Sequence, residues 1–251
     1  AKLHITQSAL SQRIMNLEEE LKITLFIRDR AGLKLTDHAY ALVRYCQTKN
    51  SLEAEFLEGL TSQNAQELAG VLRIGGFSSV MRSVIQPSLS SMIQENQKLR
   101  LLLMTKEMYE LPDLLKRGEI DYMILDNRLD REELERVSLG YEHNVLVQKR
   151  KYKGPEIYLD HDSNDSTTED YFKVAERKNK KLQRQFLGDV YGLLDGVHDS
   201  LGLAVLPKHL ITTHRDLEIL NPEIVLKVPI SIYFYQRPFY SKLHEAFLAQ
   251  L

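Results

Sequence analysis

The sequence lacks the residues and segments on which several classes of protein depend. It has one cysteine, Cys46, which excludes a disulfide within the chain and fits a reducing cytoplasm. We expect this thiol to be buried on a packing face. No apolar run approaches the ~20 residues that a membrane span needs, so no membrane partner is expected. No secretory signal segment is visible.

Motifs for catalysis and for metal binding are also missing. The sequence contains no Gly-x-Ser-x-Gly elbow, phosphate-binding loop, His-Glu-x-x-His or paired cysteines. The eight histidines are scattered, and we interpret residues such as His209, His214 and His244 as surface or capping residues. We therefore expect no enzyme, no catalytic residue, no metal and no cofactor.

The net charge of −2 hides an uneven distribution. Residues 1–36 carry six Lys or Arg residues against four Asp or Glu residues, so this segment has a net charge of +2 and the remainder −4. A basic segment is suited to the phosphate backbone of nucleic acid. Because this one is small, we expect a dimer to double it.

The first informative pattern is a helix followed by a hairpin. Thr6 can cap a helix start, and the next turns carry an apolar stripe of Leu10, Ile14, Leu17 and Leu21. Residues 26–28 and 33–35 alternate as strands around a turn at Ala31-Gly32. This order is that of a winged helix-turn-helix, which places side chains in a DNA groove. An ordinary amphipathic helix with a charged hairpin is the alternative.

Polar side chains on this helix and hairpin are the candidate DNA contacts. Gln and Arg side chains read base edges, and Ser binds bases or phosphates. The hairpin cations are expected to contact phosphates or the minor groove. The predicted set is Thr6, Gln7, Ser8, Ser11, Gln12, Arg13, Arg28, Arg30 and Lys34.

A long helix is predicted directly after the hairpin. Thr36 is a suitable N-cap, and residues 37 to about Gln66 contain no proline and one glycine. An apolar stripe at 3–4 spacing consists of Leu42, Tyr45, Leu52 and Phe56, interrupted by Lys49. Such a helix favours a partner helix, so we expect a homodimer or homotetramer. Packing of the helix on its own domain is the alternative.

Beyond a hinge at Ala69-Gly70, strand and helix patterns alternate. Residues 71–74, 99–104 and 122–125 read as strands, and a helix at 109–116 stops at Gly118. This alternation predicts an α/β sheet with parallel neighbours. The later predictions are strands at 144–148, 156–159, 202–206 and 230–235, and helices at 189–200, from Pro207, and at 241–251.

The chain resembles the LysR-type transcriptional regulators in residue type and spacing. The DNA-binding part of the likeness is Thr6-Gln7-Ser8-Ala9-Leu10-Ser11-Gln12-Arg13-Ile14, Leu17-Glu18, Leu25-Phe26-x-Arg28 and Leu35-Thr36. The effector-domain part includes Val71-Leu72-Arg73-Ile74-Gly75, Leu115-x-x-Gly118-x-Ile120-Asp121 and Gly196-x5-Gly202-Leu203-Ala204-x-Leu206-Pro207. The family's effector domain is similar to periplasmic binding proteins, with two α/β lobes and a ligand cleft between them.

The resemblance implies three segments. These are a winged helix-turn-helix at 1–36, a linker and dimerisation helix at 37–68, and an effector domain at 69–251. Lobe I is expected at about 71–145 and 206–251, and lobe II at about 146–205, with an unusually basic stretch at 173–184. Because the sequence starts at Ala1, inside the family's second helix, we expect the first helix of the module to be missing.

The candidate effector residues follow predicted strands. In open α/β sheets, ligands bind beyond the carboxyl ends of strands. Ser78 and Ser79, Thr105, and Gly188 and Asp189 match the family's cleft, although helix capping is the alternative role of Ser78, Ser79 and Thr105. Asp160 and Ser163, in the loop after a lobe II strand, are a fourth candidate.

The acidic loop at 160–170 begins like a calcium loop. Asp165 stands where an EF-hand needs Gly and Tyr171 where it needs Glu, so we expect a solvated, helix-capping loop instead. A further hypothesis is that Asp160 or Asp162, together with Asp189, makes the cleft acidic and selects a cation such as a basic amino acid. Tight binding of a dicarboxylate or aromatic acid, without binding of lysine or arginine, would contradict it.

The resemblance thus implies a cytoplasmic regulator whose sequence-specific DNA binding is controlled by a small molecule, an amino acid or organic acid. The expected partners are double-stranded DNA, this effector and further copies of the chain, with RNA polymerase as a candidate. A stand-alone two-lobe solute-binding protein is the alternative, and the presence of residues 1–60 argues against it.

Overall fold

A computed structural model describes residues 4–30, 32–61, 67–176 and 182–251. The chain start at Ala1, the turn position Ala31, the predicted helix end near Gln66 and the middle of the basic stretch lie outside these ranges. No helix in the described ranges has the length and hydropathy that crossing a membrane requires.

The N-terminal module consists of one helix and a two-stranded hairpin. Helix α1 spans Gln7–Leu21, and the Thr6 hydroxyl accepts a hydrogen bond from the backbone N–H of Ala9 at 3.2 Å, which confirms the predicted cap. Strands β1 (Phe26–Asp29) and β2 (Gly32–Leu35) pair antiparallel, with Arg28 opposite Leu33. The helix and hairpin therefore stand in the predicted order.

Glu18 joins the helix to the hairpin. Its Oε1 atom accepts the backbone N–H groups of Leu25, at 2.6 Å, and Phe26, at 3.1 Å. Leu25 is buried at this junction. The apolar stripe of α1 is less well covered, since Leu10 and Leu21 are exposed.

Helix α2 spans Asp37–Thr61 and begins where predicted. The Thr36 hydroxyl accepts the backbone N–H of Ala39 at 3.2 Å, which confirms Thr36 as the N-cap. Cys46 on this helix is exposed, so the prediction of a buried thiol was wrong. Helical spacing alone does not reveal which face of a helix its own chain covers.

The larger domain is built on a sheet that contains nine described strands. Their order is β4-β3-β5-β11-β6-β9-β7-β8, and β10 pairs with β6 off this path. The bounds are β3 Gly70–Gly76, β4 Leu99–Thr105, β5 Tyr122–Leu125, β6 Leu134–Lys149, β7 Ile157–Asp160, β8 Gln183–Phe186, β9 Leu203–Pro207, β10 Leu217–Leu220 and β11 Leu226–Tyr235.

Two sets of parallel strands are joined by long antiparallel strands. In the first set β3 is parallel to β4 and β5, and in the second set β7 is parallel to β8 and β9. Strand β6 pairs with β11 over its first part and with β9 and β10 over its last part, and Asn144 is opposite both Leu226 and Pro207. The chain therefore passes from one set to the other near Asn144.

The helices cover the faces of this sheet. Helix α6 ends at Gly118, whose φ of 70° is the left-handed conformation that glycine adopts without strain, as the sequence predicted. The helical bounds are α3 Ser78–Val80, a π-helical turn Met81–Ile85, α4 Gln86–Ser88, α5 Ser90–Glu95, α6 Leu111–Arg117, α7 Thr167–Val174, α8 Val190–His198, α9 Lys208–Ile211 and α10 Lys242–Ala249.

The two strand sets have separate hydrophobic cores. Residues such as Ile74, Ile232 and Phe247 pack in one core, and Val147 and Leu206 pack in the other. The second core also contains side chains of α9 and β10, although residues from 206 onward were expected in lobe I. The chain returns to the first strand set through β11, which is later than residue 206. The sequence predicted no strand at the position of β10, which still pairs with the last part of β6.

His244 lies inside the first core rather than on the surface. Its Nδ1 atom is 2.8 Å from the Tyr122 hydroxyl, and its ring stacks on Tyr240 with centroids 4.1 Å apart. Burial lowers the pKa of His244 to about 4, so the ring is neutral near pH 7. The interpretation of His244 as a surface or capping residue was therefore wrong.

Candidate functional site

The exposed face of α1 carries most of the predicted base-reading side chains. Gln7, Ser8, Gln12 and Arg13 are exposed, whereas Ser11 is half-buried. The Gln12 amide donates to Asn16 Oδ1 at 2.8 Å, which fixes its direction along the helix. The exposed sides of the helix thus offer amide, hydroxyl and guanidinium groups.

The hairpin supplies cations beside this helix. Arg28, Arg30 and Lys34 are exposed, and Thr6 at the helix start is exposed as well. The Lys34 ammonium lies 2.6 Å from an Asp29 carboxylate oxygen, a surface pair that has to open before Lys34 can bind a phosphate.

A cleft of about 980 Å³ lies between the two strand sets. Its walls come from residues after β3, β4 and β5 on one side and from residues after β7 and at the start of α8 on the other. This position beyond strand ends is where open α/β sheets bind ligands. The volume is enough for a small metabolite.

Four predicted effector residues line this cleft. They are Ser78, Ser79, Thr105 and Asp189. Asp189 is also the N-cap of α8, since its Oδ1 atom accepts the backbone N–H groups of Tyr191 at 2.8 Å and Gly192 at 3.0 Å. Its carboxylate is therefore held rigidly at the cleft wall.

Three predicted effector residues lie outside the lining. Asp160 is buried and is hydrogen-bonded by the Thr168 hydroxyl and the Arg184 guanidinium, so its charge is neutralised within the lobe. Gly188 donates its backbone N–H to the His161 carbonyl at 3.0 Å. Ser163 is likewise absent from the lining, which contains its neighbours Asp162 and Asn164 instead.

The floor of the cleft is formed by the strand that joins the two sets. Glu142 and Asn144 of β6 are both buried, and the Ser79 hydroxyl donates to Glu142 Oε1 at 2.8 Å. Burial raises the pKa of Glu142 to about 7, although the hydrogen bond from Ser79 opposes this shift. Burial also raises the pKa of the Asp126 carboxyl nearby.

Side chains from opposite walls approach each other across the cleft. The Arg82 guanidinium lies 4.4 Å from the centre of the Tyr191 ring, and the Tyr191 hydroxyl is 3.5 Å from the Ser78 carbonyl oxygen. At the other end, His161 Nε2 lies 3.7 Å from Glu107 and its Nδ1 lies 3.4 Å from Asp162. Movement of one wall relative to the other would break the contacts of Tyr191 with Arg82 and Ser78 and the contact of His161 with Glu107.

Two family models match the sequence across nearly its whole length. The LysR substrate binding domain matches residues 65–251, and the bacterial regulatory helix-turn-helix protein of the lysR family matches residues 1–40. The chain belongs to the LysR family of transcriptional regulators. The family consists of regulators rather than enzymes, and the match at residues 1–40 disfavours a stand-alone solute-binding protein.

Curated relatives of this LysR-family chain carry regulator names. The HTH-type transcriptional regulator YcgK of Bacillus subtilis is 27% identical over 158 residues, which are 62% of this chain and 48% of YcgK. YusT of the same organism, another HTH-type transcriptional regulator, is 25% identical over 222 residues, 85% of this chain and 74% of YusT. The chain therefore spans about half of the first relative and about three quarters of the second.

Solved full-length LysR-type structures share the fold. LysG from Corynebacterium glutamicum with bound effector Arg has a TM-score of 0.74 at 18% identity, and ArgP from Mycobacterium tuberculosis a TM-score of 0.78 at 18% identity. Each likeness covers 99% of this chain and 88% of the solved chain. At this level of identity, the likeness shows the fold alone.

Sequence reasoning missed the floor of the cleft in this LysR-family chain. Glu142 and Asn144 are separated by two positions, so they point to the same side of β6, and an apolar run follows them. That spacing was a usable signal for a polar patch on a buried strand. Nothing local indicated that His161, previously grouped with the scattered histidines, would face Glu107, because those residues belong to different lobes.

Proposed function

We propose that this LysR-family regulator binds DNA through α1 and the hairpin, under the control of a small molecule in the cleft. The observation that carries the proposal is the presence of both parts in one chain: an exposed face of amides and cations, and a cleft between two lobes. The proposed effector is an amino acid or organic acid. A thermal-shift screen of such compounds on the chain would identify it.

The proposed division of roles follows from side-chain chemistry. Gln7 and Gln12 can form paired hydrogen bonds with adenine, and Ser8 and Ser11 can contact bases or phosphates. Arg28, Arg30 and Lys34 would hold the phosphate backbone, which positions the module without reading sequence. Thr6 and Arg13, at the ends of this surface, complete the proposed contact set.

A direct structural connection between the cleft and the DNA-binding module supports effector control. Helix α6 begins beside cleft residue Pro112 and ends against α2, where Gln47 donates to the Gly118 carbonyl at 2.8 Å. The Arg44 guanidinium donates to the Lys116 carbonyl. The Lys116 ammonium lies 2.6 Å from Asp37 at the start of α2. An effector that prefers one arrangement of α6 would bias the placement of α2.

A second copy of the chain is the proposed partner of α2. Tyr45 and Phe56 on the predicted apolar stripe are 65% and 64% exposed, so the chain's own domains leave them uncovered. A dimer would place two modules on a pseudo-palindromic site, and a tetramer would be a dimer of such dimers. RNA polymerase is a further candidate partner, and a DNA-binding role implies the cytoplasm as the location.

The test is fluorescence anisotropy with a duplex from upstream of the protein's own gene and an unrelated duplex, over a range of salt concentrations. We expect Arg30→Ala to weaken binding to both duplexes by the same factor. The slope of log affinity against log salt concentration should decrease in magnitude by about one. Gln12→Ala should reduce discrimination between the duplexes by about 1–3 kcal/mol.

Arg136→Ala, which removes an exposed cation from the larger domain, is the control and should leave both affinities unchanged. Equal losses of discrimination in the Gln12 and Arg30 variants would contradict the assigned roles. Failure of the unmodified protein to bind any duplex at low salt would contradict the DNA-binding function itself.

A further inference from the structure

The floor of the cleft collects buried hydrogen-bond acceptors. The side chain of Asn144 belongs to a residue that is only 5% exposed, and its Oδ1 atom has no hydrogen-bond partner among the described residues. Glu142, two positions earlier, is 9% exposed. Both side chains line the cleft. A buried acceptor without a donor is costly, so a native cleft holding one is suited to a ligand that supplies the donor.

The neighbours of Glu142 add no positive charge near pH 7. Asp126 also lines the cleft and is close enough for its charge to disfavour ionisation of Glu142. His209 Nε2 lies 3.6 Å from Glu142 Oε1 and has no hydrogen-bond partner among the described residues. Burial lowers the pKa of His209, so this ring is neutral near pH 7.

His209 lies next to Glu142 but outside the lining of the cleft. Its ring is neutral near pH 7, so it supplies no counter-charge to the Glu142 carboxyl. The floor itself presents two carboxyl groups and one amide to the cleft, those of Asp126, Glu142 and Asn144.

The two described cations of the cleft already have partners. Arg82 lies over the Tyr191 ring, and the Lys106 ammonium is 3.6 Å from Glu110. Among the described residues, six carboxylate side chains line the cleft against these two cations, namely those of Glu107, Asp126, Glu142, Asp162, Asp165 and Asp189. An acidic concave surface raises the local concentration of cations and disfavours anions.

We propose that Glu142, Asp126 and Asn144 form a subsite for the ammonium or guanidinium group of a cationic effector. This inference rests on the proposed function, in which the cleft binds a small molecule. The ligand would donate N–H groups to the Glu142 carboxylate and, once a rotation of the Asn144 side chain uncovers its buried Oδ1 atom, to that atom as well. The positive charge of the ligand would balance the carboxylates of the floor. The carboxylates at the rim, such as Asp162, would attract the ligand but would contribute less to affinity because solvent screens them.

The location of the subsite gives the ligand influence over both lobes. Glu142 and Asn144 belong to the strand that passes between the lobes, whereas Ser79 and Asp126 follow strands of the first set. A cation bound at this point contacts β6, the strand that joins the two lobes. Selection of the effector and the change in lobe arrangement would therefore depend on the same few atoms.

Isothermal titration calorimetry on the full chain, with L-arginine and L-lysine as probes, tests the subsite. L-Citrulline and L-norleucine are the matched uncharged compounds. We expect at least one cation to bind at least tenfold more tightly than its uncharged match. Glu142→Gln and Asp126→Asn should each weaken the binding of that cation at least tenfold, with little effect on the uncharged compound.

Asp195→Asn is the matched control, because it removes an exposed carboxylate from α8 outside the cleft. It should leave the affinity unchanged, and Asp162→Asn at the rim should change it less than threefold. Thermal unfolding of each variant without ligand establishes that it is folded. If the Glu142 variant is not folded, the Asp126 variant decides the result.

Two results would overturn the subsite. One is the absence of cation binding, whether or not succinate or benzoate binds; binding of such an acid would leave the proposed effector cleft intact. The other is binding of the cations with equal affinity by the unmodified protein and by both floor variants. Binding to DNA, measured separately by anisotropy, decides whether the proposed function itself stands.

Discussion

Glu142 is the residue at which burial and charge are most strongly opposed. Its carboxyl faces the Ser79 hydroxyl, the Asp126 carboxyl and the neutral His209 ring, and burial raises its pKa to about 7 from a usual value of 4.5. Because the folded protein holds the proton more tightly than the unfolded chain, Glu142 favours folding at low pH. This contribution is lost as the pH rises from 4.5 through 7.

Glu142→Gln should therefore stabilise the ligand-free protein at alkaline pH. The substitution removes the ionising group, so its gain over the unmodified protein should be up to about 3 kcal/mol larger at pH 8 than at pH 4. Chemical denaturation of both proteins at the two pH values measures the difference. Asp195→Asn, at an exposed position, should show no such pH dependence, and an equal effect of the Gln substitution at both pH values would refute the argument.

Helix α6 is the element that joins the cleft to α2. It is short, it begins at the cleft wall and it ends in a left-handed glycine whose carbonyl accepts Gln47. A Cβ atom at Gly118 would lie 2.7 Å from Gln47 Oε1, so the Gln47 side chain would have to shift to accommodate any other residue here. Arg44 adds a contact with the Tyr235 ring at 4.1 Å.

Replacing both Arg44 and Gln47 by alanine should uncouple effector binding from DNA binding. We expect effector affinity to be retained. The ratio of DNA affinities with and without effector should fall about fivefold or more, toward the value of one that means no coupling. Anisotropy titrations with and without the compound found by the thermal-shift screen give this ratio. Asn50→Ala, exposed on the same helix, is the control, and an unchanged ratio in the double variant would contradict a role for this contact.

The exposed apolar stripe of α2 is the feature of the folded chain that favours a second copy as partner. One side of the helix contacts α6 through Arg44 and Gln47, while Tyr45, Leu52 and Phe56 remain exposed on another. Helix α2 therefore packs on the chain's own domain with one side and leaves another side open for a partner helix. The proposed dimer would use the exposed stripe.

A charge placed on this stripe should weaken self-association. We expect Phe56→Glu to shift the protein toward a monomer in sedimentation velocity and to weaken DNA binding about tenfold or more, because one module makes few phosphate contacts. Asn50→Glu adds the same charge on another side of the helix and should leave the association state unchanged. Identical sedimentation of the two variants would exclude the stripe as the interface.

Many local elements and the family were predictable from neighbouring residues and motifs. Capping by Thr6 and Thr36, the end of α6 at Gly118 and the strand at 122–125 depend on neighbouring residues and on periodicity, so they were predictable. The order of the winged module and the α/β domain followed from the same signals. The described residues also include β8 and β10, which were not predicted because short strands form through pairing partners distant in sequence.

Which polar residues share the cleft depends on contacts between segments that are distant in the sequence. Asp160 was expected there, but Arg184, 24 positions later, neutralises it inside the lobe. Glu142 was not expected, yet it receives the Ser79 hydroxyl from 63 positions earlier. Burial, and with it the pKa of a carboxyl, depends on contacts between distant segments, whereas capping and periodicity act within a few residues. Contacts between distant segments therefore place Glu142 in the floor of the cleft and Asp160 outside the cleft.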